Sequence, residues 1–338
     1  MTRVFAVVAL AGLIAWVAAV LLDDTDEIMV SRLRGIGRGV YSGSQAIGGP
    51  PVNAANVDLC LVGLQSSDRT ARRWASLALI GLAKEEFFER TARPHATEFF
   101  ALLVTSMQEP SSLVSIAAGN AVREILYQTE LFSGRLEEIF AVCRAMIRAK
   151  DPDIRRRGSL VLRTLVGRAG AQLRCDVARA LLDAHQASSA PTGKDDPKYA
   201  PTPDEMASYA IRSALAMTRV PEPALAAEIT RILLADLDLW NWIPVYRIDL
   251  RFAGLIRNLA ELDDELRAAV VDQLIQRSTD PEAPYQSCAV LALADISSEL
   301  TETESLRALD ALTKAQQLGV ERGIDRAVAN LRARLDEF

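Results

Sequence analysis

The sequence predicts an all-α protein: a right-handed α-solenoid of about seven helix pairs, preceded by one transmembrane helix. Three observations lead to this class. Ala, Leu and Arg dominate a chain of 338 residues in which only 6% are aromatic, and this composition favours helices over sheets. From Val57 onward, apolar residues recur at intervals of three and four, without the sustained alternation that a half-buried strand needs. A separate apolar run at the N-terminus is long enough to cross a bilayer.

The N-terminal run, residues 4–22, contains nineteen consecutive uncharged and almost wholly apolar residues. At 1.5 Å per residue, a helix of this length reaches about 28 Å, close to the hydrocarbon thickness of a bilayer. We therefore expect residues 1–22 to form a single-pass transmembrane anchor. A cleaved signal peptide is the alternative, because Arg3 precedes the run and small residues at positions 17–19 offer a cleavage site. Two ways of counting the flanking charges disagree on the orientation; we expect a body on the extracytoplasmic side, with the cytoplasmic side left open.

Residues 23–56 are expected to form a flexible linker between the anchor and the rest of the chain. Gly and Ser are frequent in this stretch, and the sequence Gly-Gly-Pro-Pro at residues 48–51 breaks any helix. Residues 35–39 superficially resemble a phosphate-binding loop, but no Lys-Ser/Thr follows them and no strand pattern precedes them. The sequence therefore predicts a tether here, and residues 57–338 form the helical domain.

Within the helical domain, one pattern of small and large residues recurs. The clearest match is between residues 75–82 and residues 289–296. Related segments begin at Ala118, Gly158 and Ala207, with looser ones at Ala253 and Ala327. The successive separations are 43, 40, 49, 46, 36 and 38 residues. Such a period is typical of stacked helix pairs, each of which buries its apolar faces against its neighbours.

Several of these helices are introduced by the pattern found at the turn into the second helix of a HEAT repeat, and two copies are the clearest. Residues 151–158 read DPDIRRRG, and residues 67–75 read SDRTARRWA. An Asp at the start accepts hydrogen bonds from helix N-terminal amides, and a small residue further on lets two helices approach. On these residues the domain resembles HEAT-repeat proteins, including their phycobilisome-lyase-type subset and the armadillo-type α-solenoids. The resemblance implies a structural arginine at Arg72 and Arg155, and the second repeat has Ser115 at this position.

The repeat pattern gives approximate bounds for seven helix pairs. These are residues 57–90, 96–128, 135–168, 170–219, 222–262, 264–298 and 302–336. The fourth pair is interrupted by a polar stretch rich in Pro and Ser, residues 185–203. Insertions in solenoids lie on one face, where they either bind partners or vary neutrally.

No arrangement of residues predicts catalysis. The sequence has no nucleophile elbow, no Walker loop, no His-Glu-x-x-His motif and no Cys-x-x-Cys motif. With two His and four scattered Cys, neither a zinc cluster nor a disulfide framework is expected. We therefore expect no catalytic residue, no cofactor and no metal ion, and we expect the four cysteines to be buried thiols.

Charge is unevenly distributed in this chain, whose net charge is −6. Residues 144–174 carry +7, whereas residues 261–310 carry −9. The basic segment suits an acidic protein partner or anionic lipid headgroups, and it equally suits a solvated helix face. The overall acidity argues against nucleic acid as a partner. Because Arg155 occupies the structural position, the candidate partner-binding residues of this segment are Arg148, Lys150, Arg156 and Arg163.

A second candidate surface lies at a break between helices, where Trp240, Trp242 and Tyr246 are close in sequence. Aromatic residues at this density suit a protein interface, and they equally suit the core at a repeat boundary. The predicted function is a membrane-tethered scaffold or adaptor, without catalytic activity, that binds a partner protein on its helical-repeat surface. The alternative, implied only by the HEAT-like resemblance, is a lyase-type protein that assists the attachment of a chromophore to a partner protein, or another modification of that partner.

Overall fold

A computed structural model of the chain describes residues 27–36, 53–110, 113–187, 201–237, 249–280, 286–317 and 323–338. These residues form helices and their connections, and they contain no strand. The all-α class predicted from the sequence is therefore confirmed for the described ranges. In chain order the helices are α1 (27–36), α2 (Ala54–Gln65), α3 (Arg69–Leu82), α4 (Phe88–Ala92), α5 (Ala96–Met107), α6 (Leu113–Gln128), α7 (Leu136–Met146), α8 (Pro152–Leu165), α9 (Ala171–Gln186), α10 (Pro203–Ala216), α11 (Pro223–Ala235), α12 (Asp249–Arg257), α13 (Asp264–Thr279), α14 (Gln286–Asp295), α15 (Glu302–Gln317) and α16 (Ile324–Leu335).

None of the described helices has the length and apolar character needed to cross a bilayer. The longest of them, α6, α9, α13 and α15, have 16 residues each, which is about 24 Å of helix, whereas a spanning helix needs roughly 20 residues. This finding contradicts the predicted localisation, a single-pass membrane protein with an extracytoplasmic body, and we correct it accordingly. The predicted anchor, residues 4–22, lies outside the described residues.

Side-chain caps define where several helices begin. The carboxylate of Asp68 accepts hydrogen bonds from the backbone N–H groups of Thr70 and Ala71, at 2.8 and 3.3 Å, and so starts α3. Asp151 starts α8 in the same way, at 2.8 and 3.2 Å from the second and third amide nitrogens that follow it. Helix α10 begins with a capping box between Thr202 and Glu205. These caps satisfy amide groups that have no partner within a helix, which is why Asp and Thr are favoured there.

The chain divides into two compact units, Met1–Val142 and Cys143–Phe338. In the first unit, α2 packs on α3, α5 packs on α6, and α3 also packs on α6. Ala75 is fully buried in α3, and a Cβ atom added to Gly63 of α2 would lie only 2.9 Å from its side chain. Small residues at 63 and 75 thus allow α2 and α3 to approach closely, as the repeat pattern of α3 predicts.

Helix α1 lies within the stretch that the sequence analysis assigns to a flexible linker. Its residues Met29, Leu33 and Ile36 are buried, and they follow the spacing of one helix face. The side chain of Leu33 contacts α2 at Gly63, where an added Cβ would be 2.7 Å from Leu33 Cδ1. The part of the predicted linker that the structure describes at 27–36 is therefore a packed helix.

In the second unit, the helices pack as successive pairs. Helix α9 packs on α10, α11 on α12, α13 on α14, and α15 on α16, while the second helices α8, α10, α12, α14 and α16 pack each on the next. Two glycines permit the closest approaches. An added Cβ would lie 2.8 Å from Met146 Cβ at Gly158, and 2.8 Å from Ala216 Cβ at Gly254. Neighbouring pairs therefore bury their apolar faces against one another, as a repeat fold requires.

Candidate functional site

Arg155 holds the turn that precedes α8. Its Nη1 atom donates hydrogen bonds to the carbonyl oxygens of Ala149 and Lys150, at 2.9 and 2.8 Å. Its Nη2 atom forms an ion pair with Asp204 at the start of α10, so the same side chain joins two successive repeats. The Arg155 side chain is only 21% exposed. Arg155 therefore serves the fold, as the HEAT-like resemblance implies.

Arg72 performs the same task in the first unit. Its Nη1 atom donates to the carbonyl oxygens of Ser66 and Ser67, both at 2.9 Å, and its Nη2 atom lies 3.4 Å from a carboxylate oxygen of Glu109. One residue type at one repeat position thus fixes a turn in each unit. Arginine suits this position because its planar guanidinium presents several donors in a fixed geometry.

The three successive arginines of α8 have three different environments. Arg155 is bonded to the turn, Arg156 is exposed to solvent, and Arg157 is buried. Burial lowers the pKa of Arg157, while the carboxylates of Asp151 and Asp153 partly restore it. This distribution follows from the rotation of about 100° per residue in an α-helix. Of the three, only Arg156 presents its charge to an incoming partner.

Two of the predicted contact residues are engaged within the second unit. Arg148 Nη2 lies 2.9 Å from a carboxylate oxygen of Asp183 in α9. Arg163 Nη1 donates a hydrogen bond of 3.2 Å to the hydroxyl oxygen of Ser213 in α10. Both side chains thus contribute to contacts between helices, and a partner that recruits them must compete with these contacts.

The other two predicted contact residues form what we call the α8 basic surface, defined as Lys150 and Arg156. Both are exposed, and within the described ranges neither forms an ion pair. Lys150 lies in the turn before α8, and Arg156 lies in the second turn of that helix. Arg163 is seven residues beyond Arg156, which places it on the same face of α8. The structure therefore places Arg156 and Arg163 on one face, and it directs Arg148 towards α9.

The remaining predicted contact residues, Trp240, Trp242 and Tyr246, lie outside the described residues. So does most of the predicted insertion 185–203, of which the structure describes residues 185–187 and 201–203. The roles assigned to both segments stay predictions.

A buried polar cluster joins α9, α10 and the residue that follows α11. Arg212 Nε lies 2.5 Å from a carboxylate oxygen of Asp236, and both side chains are less than 10% exposed. Burial lowers the pKa of Arg212, and the nearby Asp236 partly restores it. Burial, together with the positive charge of Arg212, lowers the pKa of His185 to about 4. At neutral pH the imidazole is therefore uncharged, and this cluster belongs to the interior of the second unit.

Arg219 and Arg257 line a cleft of about 350 Å³ in the second unit, and no motif in the sequence marks them. The two arginines are 38 residues apart, and neither belongs to a basic run. Their separation is close to one repeat period, and this spacing is the sequence feature that relates the two positions. Their proximity depends on how α12 packs against α10.

No protein-family model and no curated protein matches the chain. Among solved structures, an engineered protein from the Northeast Structural Genomics Consortium is similar, with 16% identity and a TM-score of 0.52 over 92% of this chain and 78% of that one. A designed armadillo repeat protein has 14% identity and a TM-score of 0.41, over 83% of this chain and 98% of that one. Kap121p has 15% identity and a TM-score of 0.31, over 84% of this chain and 33% of that one. The first likeness shows a shared fold, and the described helices of this chain pack in pairs.

Proposed function

We propose that this protein is a non-catalytic scaffold that binds a partner protein through the α8 basic surface. One observation carries the proposal: Lys150 and Arg156 are exposed and have no ion pair in the described ranges, whereas neighbouring Arg148 and Arg155 are paired with carboxylates of the same unit. The α8 basic surface carries two exposed cations without a counter-charge from the described residues, which leaves it available to a partner.

The proposed architecture is a right-handed α-solenoid of about seven helix pairs over residues 57–338. Support comes from the paired packing within each unit and from the fold likeness to an engineered protein. Stacked helix pairs offer extended surfaces, on which binding needs no catalytic group. Function in such folds resides in the surface residues, so the proposal rests on the side chains of α8 and not on the fold.

The partner is proposed to be acidic where it meets α8. The whole chain has a net charge of −6, whereas residues 144–174 carry +7, so the segment around α8 is locally basic. Complementary charge steers association and makes binding sensitive to salt. The lyase-type alternative gains no support from the comparisons, and no group on the described surface favours it.

The test is affinity capture with the full chain, comparing the wild type with the Lys150→Ser/Arg156→Ser double variant. We expect the double variant to retain less of a stoichiometric partner, and we expect its remaining binding to depend less on salt concentration. Arg231→Ser is the matched control, because Arg231 is an exposed arginine of α11 in the same unit. Equal capture by the wild type and the double variant would refute the proposal.

A further inference from the structure

The cleft in the second unit combines charge with an apolar wall. It has a volume of about 350 Å³ and is open to solvent. Its charged and larger apolar lining residues are Arg219, Ile256, Arg257, Asp295, Ile296 and Glu299. These come from the connection that follows α10, from α12, and from the end of α14 with the turn that follows it. Three successive repeats therefore contribute to one concave site.

Neither arginine of the cleft forms an ion pair within the described ranges. Arg257 Nη2 has only a weak acceptor, the sulfur of Met217 at 3.8 Å, and its Nε atom is buried without an acceptor there. Arg219 is exposed at the mouth of the cleft. Buried donors are normally satisfied, and Arg257 lines a cleft in which a ligand can supply an acceptor.

The electrostatics of the pair point the same way. Burial lowers the pKa of Arg257, and the positive charge of Arg219 lowers it further. Arginine nonetheless stays protonated near neutral pH, so two like charges are held close together. An anion between them would relieve both the repulsion and the loss of hydration.

A buried amide holds the two arginines in place. The side-chain oxygen of Asn258 accepts a hydrogen bond of 3.0 Å from the backbone N–H of Val220, and its Nδ2 atom donates one of 3.1 Å to the carbonyl of Thr218. Asn258 follows Arg257 directly, and its two partners flank Arg219. The side chain is 1% exposed, so this clamp is internal. The backbone at Arg219 is therefore fixed relative to the backbone at Arg257, which brings the two side chains to the same cleft.

The acidic residues of the lining limit which anion fits. Asp295 is paired with Arg326 at 3.2 Å, the backbone carbonyl of Glu299 accepts a hydrogen bond from Arg267, and both acidic residues are exposed. Their carboxylates repel a doubly charged phosphate more strongly than a singly charged carboxylate. A carboxylate also matches the planar fork of an arginine. The charge balance thus favours a single carboxylate with an apolar stem.

We propose that this cleft binds the carboxylate of an Asp or Glu side chain presented by an acidic segment of a partner protein. Arg219 and Arg257 donate hydrogen bonds to its oxygens, while Ile256 and Ile296 contact its methylene groups. The biological role of the site rests on the proposed scaffold function, which it deepens by naming a second contact point. The binding of a carboxylate itself can be measured without the partner.

The probes are two acetylated and amidated tripeptides, Leu-Glu-Leu and Leu-Gln-Leu, titrated into the full chain at constant ionic strength. Binding is measured by calorimetry and by the NMR signals of the arginine Nε–H groups. We expect the Glu peptide to bind at least about tenfold more tightly than the Gln peptide. Arg219→Gln and Arg257→Gln should each abolish this discrimination. Arg231→Gln should preserve it, because Arg231 lies outside the cleft.

Thermal melting of each cleft variant shows whether the substitution has disturbed the fold. Since Arg257 is desolvated and repelled by Arg219, Arg257→Gln should melt at or above the temperature of the wild type without peptide. Equal binding of both peptides, or discrimination that survives both cleft variants, would overturn the proposal. Inorganic phosphate is titrated separately, and tighter binding of phosphate than of the Glu peptide would also overturn it. The protein could distinguish the Glu peptide from the Gln peptide while the Lys150→Ser/Arg156→Ser variant captures as much partner as the wild type. That result would support the cleft proposal and refute the proposed binding of a partner through the α8 basic surface.

Discussion

Replacing Arg155 by Ala should destabilise the protein by about 2–3 kcal/mol, whereas Arg156→Ala in the next position should change stability by less than about 0.5 kcal/mol. Arg155 loses two hydrogen bonds to the carbonyls of the turn, each contributing about 1 kcal/mol. It also loses its ion pair with Asp204, whose side chain is 63% exposed, so this pair contributes at most about 1 kcal/mol. Arg156 has no such contact in the described ranges.

The assay is thermal unfolding followed by circular dichroism, with urea unfolding as the second measurement. A loss of 2–3 kcal/mol should lower the melting temperature by about 5–10 °C in a unit of this size. Arg155→Lys is the informative control, because it keeps the charge but loses the planar fork, and it should recover only part of the stability. Equal melting temperatures for Arg155→Ala and Arg156→Ala would refute the division into a structural and a surface arginine.

Three further predictions are each checked by urea unfolding. Ala75→Asp buries an unpaired carboxylate and should cost about 3 kcal/mol or more, whereas Ala101→Asp on the exposed side of α5 should be nearly neutral. Stability should fall as the pH drops from about 6.5 to about 4, because His185 protonates first in the unfolded chain, and His185→Gln should remove that part of the decline. Gly254→Ala should cost about 1–3 kcal/mol through overpacking, whereas Gly134→Ala, with open space around it, should not destabilise.

Local chemistry explains why much of the fold could be predicted from the sequence. An Asp that directly precedes an apolar periodic segment predicts a helix N-cap, and Asp68 and Asp151 do cap α3 and α8. Ala75 and Gly158 mark close helix contacts because the pattern of small and large residues repeats with the period of a helix pair. These signals lie within a few residues of one another, so no tertiary information is needed to detect them.

The sequence around helix α1 predicts a linker and not a helix, and the cause is again a local feature of the sequence. The helical spacing of Met29, Leu33 and Ile36 was present in the sequence, but a run rich in Gly and Ser follows directly and suggested a linker throughout. Burial of these side chains depends on their contact with α2. Such a short apolar stripe stabilises a helix only when a neighbour covers it, because an isolated helix of ten residues is marginal.

The candidate site was less accessible to sequence reasoning, because its chemistry depends on pairs that are distant along the chain. The partner of Arg148 is 35 residues away, and that of Arg163 is 50 residues away, so a run of basic residues did not show which charges were already engaged. Arg219 and Arg257 come close together because Asn258 hydrogen-bonds to the backbone on either side of Arg219. Tertiary packing therefore determines which cations of the basic segment have a partner on another helix, and the sequence alone does not distinguish them.

The central claim is that Arg156 meets a partner while Arg155 serves the fold. Arginine modification by phenylglyoxal, followed by mass spectrometry of the free protein and of the captured complex, tests it most directly. In the free protein, Arg156 should react rapidly and Arg155 slowly, since Arg156 is exposed and forms no ion pair in the described ranges, whereas Arg155 is bonded to the turn and to Asp204. In the complex, Arg156 should be protected several-fold, and the slow rate of Arg155 should stay unchanged. Equal reactivity of Arg156 in the free protein and in the complex would contradict the account.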